Sequence, residues 1–305
     1  MLESLHPDVR SAIEAFVRLP LDAENLAAVR ATPYPPVPVF DAVEMRDHVI
    51  DETTGLQVQS YRPRGLGGRL PCVYYIHGGG YIRGTHAISS PRVYQWISSR
   101  PCVYVSVDYR LAPETPFPGP LEDCYAGQRW LHQHADELGV DNARIGVNGI
   151  SAVGGLAAGL SLLVRDRGEF RLAFQALECP MIDDRQCTPS SQQDGLPIWS
   201  KADNEFGWRA YLGSLYGSAD LPYVAAPARA TDLSGLPPSY LAVGTVDGFR
   251  DEVIDYATRL SQAGVPTDLR VYAGAPHGLQ IAVGTSLADR WASDLEMWLA
   301  HQMFH

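Results

Sequence analysis

From residue 43 onward, short and densely apolar runs alternate with stretches whose apolar positions follow a helical period. The runs fall at 72–76, 102–107, 144–147, 174–179, 240–243 and 269–272, with helical patterns at 123–138, 152–167 and 251–263. A run without in–out alternation suits a strand covered on both faces. Its alternation with helices predicts a parallel sheet packed between helical layers. Ahead of this series, 43–50 and 56–61 read as two strands joined at Glu52-Thr53-Thr54-Gly55, an antiparallel hairpin. The pattern therefore predicts an α/β chain whose mixed, mostly parallel sheet has about eight strands.

Two intervals break the rhythm. Residues 1–30 carry two helical patterns parted at Leu19-Pro20, the first placing Val9, Ile13, Phe16 and Val17 on one face. They lead into Pro33-Tyr34-Pro35-Pro36-Val37-Pro38, which is extended because proline cannot continue a helix. Residues 184–238 hold no strand run but do hold the aromatic helical piece Phe206-Gly207-Trp208-Arg209-Ala210-Tyr211-Leu212. Long excursions between core strands usually carry function. We read 1–42 and 184–220 as a cap, and 43–183 with 221–305 as the core. A surface embellishment is the plainer alternative for the excursion.

Composition narrows the function classes. With 46% hydrophobic and 19% charged residues the chain reads as an ordinary soluble globular protein. A net charge of −11 argues against a nucleic-acid binder and against docking on an anionic membrane. Five scattered cysteines make neither a disulfide framework nor a zinc pair, and Cys72, Cys102 and Cys179 read as small core residues. The start of the chain is acidic and amphipathic rather than a signal peptide, and no run nears the roughly 18 apolar residues of a membrane span. A cytoplasmic protein without membrane insertion is the expectation.

Three segments carry chemistry. At Gly149-Ile150-Ser151-Ala152-Val153 a strand runs through a sharp turn into a small-residue helix, the layout of a nucleophile elbow. The helix start at Ala152 would aim amide N–H groups at a developing oxyanion. The usual pattern is G-x-S-x-G, so Val153 breaks the strict motif. No lysine follows Gly154, and no G-x-G-x-x-G follows this strand, so neither nucleotide fingerprint is present. The second segment, His77-Gly78-Gly79-Gly80-Tyr81, follows an apolar run and frees successive N–H groups to cradle an anion. The third is a pair of loop residues, Asp247 and His277, each at the C-terminal end of a strand, where open α/β sheets build their sites. The order Ser151, Asp247, His277 is the α/β-hydrolase order, with serine as nucleophile, imidazole as base and carboxylate fixing the tautomer.

Together with Asp108-Tyr109-Arg110-Leu111-Ala112-Pro113-Glu114, Arg250-Asp251-Glu252 and Pro276-His277-Gly278, these segments resemble the hormone-sensitive-lipase-like family of bacterial carboxylesterases over residues 40–300. The resemblance implies the α/β-hydrolase fold and an oxyanion hole from the N–H groups of Gly79, Gly80 and Ala152. It also implies a helical cap, no cofactor, no metal, and a small-molecule ester of short to medium acyl chain as substrate. A homodimer is left open. Tyr81, Ile150, Val153, Phe206, Trp208, Gly248 and Leu279 are the pocket candidates. Cap packing is the alternative for Phe206 and Trp208, as for Trp199 and Tyr211. The family has Asp or Glu at position 150 and glycine at 153, so Ile150 and Val153 depart from it. Both changes would put apolar bulk beside the serine, favouring acyl transfer over hydrolysis or simply reshaping the pocket. Gly248 is small where the family often has a bulkier residue, which would widen the acyl side.

Other residues take plainer readings. His86 is expected at the surface. His132 and His134, two apart on a helix, share no face and make a poor metal pair. Asp251 and Glu252 are expected to sit at a helix's positive end. The competing classes are a catalytically weak ligand-binding member of the fold, against which a complete triad argues, and a nucleotide-dependent oxidoreductase, against which the missing fingerprint argues.

Overall fold

A computed structural model of the chain describes residues 2–16, 20–33, 36, 40–88 and 90–305. Val17, Leu19 and most of the proline-rich connector therefore lie outside the described residues. One eight-stranded sheet holds the architecture together: β1 (Val43–Asp51), β2 (Leu56–Pro63), β3 (Leu70–Ile76), β4 (Val103–Val107), β5 (Val140–Ile150), β6 (Gln175–Glu178), β7 (Ser239–Val246) and β8 (Thr267–Pro276). Their order is β1-β2-β4-β3-β5-β6-β7-β8. β1, β2 and β4 pair antiparallel, and every pairing from β4 through β3 to β8 is parallel. The expected hairpin and parallel series both form.

Around the sheet lie α1 (Pro7–Glu14), α2 (Leu26–Ala31), α3 (Pro91–Ser99), α4 (Gly119–Gln133), α5 (Ala135–Leu138), α6 (Ala152–Arg167), α7 (Lys201–Leu212), α8 (Arg250–Gln262) and α9 (Ser286–Phe304). The apolar runs become strands because both their faces are covered: β4 is buried along its whole length, as is all of β6. α6 is buried on nearly all sides until its last turn, as its glycines and alanines permit. The helix expected over 123–138 divides at His134, whose Nδ1 turns back onto the Trp130 carbonyl at 2.9 Å.

The N-terminal segment is fastened at two places. α1 buries Val9 and Ile13, whereas Phe16, expected on the same face, is exposed just past the helix end. The Asp8 carboxylate accepts from Ser286 Oγ at 2.7 Å and Leu287 N–H at 3.2 Å, at the start of α9. Arg30, at the end of α2, donates to the carbonyls of Ile82 and Ala112 at 2.7 and 2.8 Å and pairs with Glu114 at 2.6 Å. The interval between β6 and β7 contains α7 and two single 3-10 turns, and no strand among the described residues. Trp208 and Tyr211 of α7 are buried against Tyr81, the last two rings stacking at 4.1 Å.

Parallel strands end at one edge, so loops remote in sequence meet there. Ile76 is paired with Gly149, and Val246 with Pro276. That register sets His77, Ser151, Asp247 and His277 along one edge of the sheet.

Candidate active site

Ser151 joins β5 to α6 with φ 63° and ψ −133°, a left-handed-side conformation that a serine adopts only when its surroundings enforce it. The enforcement is visible: Ser151 N–H donates to the Glu178 carbonyl at 2.8 Å, and the Ser151 carbonyl accepts from Met181 at 3.0 Å. Gly149 is required beneath the turn, since a β-carbon there would stand 2.4 Å from the Val153 carbonyl oxygen. The strained turn lifts the hydroxyl toward β8.

Ser151 Oγ lies 2.8 Å from His277 Nε2, and His277 Nδ1 lies 2.9 Å from Asp247 Oδ2. The other Asp247 oxygen accepts from Phe249 N–H at 2.9 Å, which holds the carboxylate toward the imidazole. Both His277 and Asp247 are buried, and Phe249 meets the imidazole edge-on at 5.0 Å. Burial works against the charged imidazole, but Asp247 and then Cys179 act the other way, holding it well above its ordinary value. Such a chain can take a proton from the hydroxyl and return it to a leaving group.

The glycine loop flanks the hydroxyl. Gly79 and Gly80 have φ 138° and 65°, and neither N–H donates to another described group. Ala152 opens α6, so its N–H has no acceptor within the helix. His77 anchors the loop: its ring stacks on Tyr109 at 4.4 Å, and burial lowers its pKa to about 4, so it is neutral near neutrality.

The pocket candidates divide. Ile150 is part-buried against Gly78, where a β-carbon would lie 3.2 Å from its Cγ2, and Phe206 and Gly248 are also part-exposed. Tyr81, Val153, Trp208 and Leu279 are instead enclosed by neighbours, each no more than 1% exposed, so they offer a pocket no surface. Val153 is fully enclosed near the start of α6, as are Leu156, Ala157 and Leu160 further along it. Trp199 lies beside the chemistry. Its ring lies 6.3 Å from that of His277 and 2.5 Å from where a Gly80 β-carbon would stand.

Several site residues carry no sequence signal of their role. Leu196 Cδ1 and Ile198 Cγ2 each come within 3.2 Å of where Gly248 and Gly278 would bear a β-carbon, so with Trp199 they cover the serine–histidine edge. Glu178 faces Ile150 across the β5–β6 pairing. Its carboxylate accepts from Trp291 Nε1 at 2.6 Å, Gln280 at 3.3 Å and Asn148 at 3.4 Å, and burial raises its pKa. A carboxylate missing at position 150 thus stands one strand away, tying β6 to the loop after His277. Replacing Glu178 with alanine should destabilise the fold by about 2–4 kcal/mol, from the orphaned Trp291 N–H plus lost packing. Urea denaturation measures this. Glu178→Gln, which keeps an acceptor for Trp291, should lose clearly less.

Some plain readings need correction. His86 is part-buried rather than fully exposed: its Nδ1 lies 3.2 Å from Asp108, which raises its pKa while burial opposes the shift. Glu252 does begin α8, but it is buried, and its Oε1 accepts from Ile182 and Asp183 at 2.9 and 3.3 Å. Asp251 accepts from Ser190 N–H at 2.7 Å. Together they pin the chain that leaves β6. His132 stacks on Phe170 and bonds Asn142, and His134 stacks on Trp130. Among the described residues one group has metal-ligating atoms gathered together: Cys179, Asp247 and His277. No helix among them is long and apolar enough to cross a membrane.

Comparison with known proteins agrees with this geometry. A family described as the alpha/beta hydrolase fold matches residues 73–281. The chain is 36% identical over 289 residues to Esterase LipI of Mycobacterium tuberculosis, covering 89% of each chain. It is also 36% identical over 239 residues to Carboxylesterase NlhH of the same organism, covering 77% of this chain and 75% of that one. Among solved structures, a Bacterial Heroin Esterase superposes with a TM-score of 0.90 at 36% identity, covering 100% and 99% of the two chains. The chain belongs to the alpha/beta hydrolase fold family and, within it, to the hormone-sensitive-lipase-like bacterial carboxylic ester hydrolases.

Proposed function

We propose that the protein hydrolyses small, apolar carboxylic esters with short to medium acyl chains through an acyl-enzyme on Ser151. The observation that carries this reading is the unbroken Ser151–His277–Asp247 hydrogen-bonded chain beside unengaged glycine amides. Ser151 Oγ attacks the ester carbonyl carbon as its proton passes to His277 Nε2. The carbonyl π electrons move onto oxygen, and the oxyanion accepts from the N–H groups of Gly79, Gly80 and Ala152. Collapse breaks the bond to the alkoxy oxygen, which leaves as alcohol with the proton from His277. Water then attacks the acyl-enzyme with His277 again as base, releasing the carboxylic acid and restoring the serine.

Leu196, Ile198 and Trp199 support an apolar substrate, since they cover the site with hydrocarbon and an indole. In this reading residues 1–42 and 184–220 act as the cap, with Arg30 and Asp8 fastening its first part. The elbow departure at Val153 lends little to preferential acyl transfer, because that side chain offers the site no exposed surface. A purely ligand-binding role would leave the complete proton-transfer chain without purpose.

The test is labelling with a fluorophosphonate, with the adduct located by mass spectrometry, alongside p-nitrophenyl esters of increasing chain length. We expect one adduct per chain, on Ser151, and kcat/KM greatest for short to medium acyl groups. An adduct elsewhere, or activity rising steadily to long chains, overturns the respective half.

A further inference from the structure

We propose that Cys179, Asp247 and His277 form an inhibitory binding site for a thiophilic divalent cation such as Zn2+. β6 ends at Glu178, and Cys179 follows it with φ 36°, its N–H held by the Ala242 carbonyl at 2.6 Å. This turn lays the thiol against the loops that carry the acid and the base. One ligating atom from each of the three side chains lies within 4.8 Å of the others, and all three residues are buried.

The donor set suits the ion. Thiolate, imidazole and carboxylate are the ligands of zinc. Tetrahedral coordination at ordinary bond lengths separates such donors by about 3.3–3.6 Å. His277 Nδ1 and Asp247 Oδ2 stand 2.9 Å apart, and the thiol lies within 4.8 Å of one imidazole nitrogen and one carboxylate oxygen. Charge points the same way. A thiolate and a carboxylate around a divalent cation make a neutral cluster, which a buried site tolerates far better than an unpaired charge. Binding releases the thiol proton.

The consequence for turnover follows from the tautomer. An ion on Nδ1 occupies the lone pair that forms there once the proton leaves, so a neutral imidazole carries its single proton on Nε2. Nε2 then donates toward Ser151 Oγ and cannot accept the hydroxyl proton. Cys187 is the one exposed cysteine and has no part in the cluster. It serves as the control.

The test uses ZnCl2 against ester hydrolysis and CdCl2 followed by its sulfur-to-metal charge-transfer absorbance, both in a Cys187→Ser background. Zn2+ is expected to inhibit reversibly, with recovery on adding EDTA, and Cd2+ to give the band at one ion per chain. Adding Cys179→Ala should remove the band and raise the half-inhibiting Zn2+ concentration at least about tenfold, since even outer partners of a metal site contribute that much. No band in the Cys187→Ser protein overturns the site, whether or not the second variant folds. So does a Cys179→Ala protein that folds and keeps the wild-type Zn2+ sensitivity. The loss of turnover rests on the role proposed for His277, whereas the band does not. A saturable band with unimpaired hydrolysis therefore overturns that role and the inhibition, and leaves the cation site standing.

Discussion

Replacing Ser151 with alanine is expected to lower kcat/KM for a p-nitrophenyl ester by about 10⁵–10⁶-fold, leaving the fold intact. The hydroxyl oxygen is the atom of the proton-transfer chain that the imidazole activates toward the substrate, and no other described hydroxyl lies on His277 Nε2. What survives is the stabilisation supplied by the glycine amides and by binding, which in serine hydrolases acts without the nucleophile. The main-chain bonds that impose the strained turn, from Ser151 N–H to Glu178 and from Met181 N–H to the Ser151 carbonyl, do not involve the side chain. Unfolding by urea should therefore show an almost unchanged midpoint while initial rates collapse. A variant retaining a few per cent of wild-type kcat/KM would show that another group is the nucleophile.

The sequence exposed the sheet because its strands are covered on both faces: β3, β4 and β7 read as nearly continuous apolar runs. It exposed the candidate reacting groups for a related reason. Ser151, Asp247 and His277 each follow a strand directly, and parallel strands deliver their C-terminal ends to one edge. What stayed hidden depends on contacts between distant segments. Glu178 is one acid in an apolar run, and its partners Gln280 and Trp291 lie about a hundred residues away. Leu196 and Ile198 sit in an aperiodic excursion, so nothing local marks them as covering Gly248 and Gly278. Val153 is different, because its burial was legible. Residues 153, 156, 157 and 160 are spaced as the core face of a helix.

Asp247→Asn should lower kcat by about 10⁴-fold while changing KM little, the cost of holding a catalytic imidazole in the wrong tautomer. Asp247 accepts from His277 Nδ1–H with one oxygen and from Phe249 N–H with the other. An asparagine that keeps its oxygen on Phe249 turns an NH2 toward the imidazole, and Nδ1 must then accept. The proton moves to Nε2, where the base should have a free lone pair. The variant also has a signature in pH. In the wild type, burial disfavours the imidazolium, but Asp247 and Cys179 outweigh it and raise the pKa. The base is neutral only above that raised value, so wild-type kcat/KM should climb with pH through an inflection above the ordinary imidazole value near 6.5. Removing the carboxylate leaves burial with less opposition, and the inflection of the residual activity should move to lower pH. A profile of log(kcat/KM) against pH for both proteins measures this. An unmoved inflection would mean that the titrating group is not the imidazole paired with Asp247.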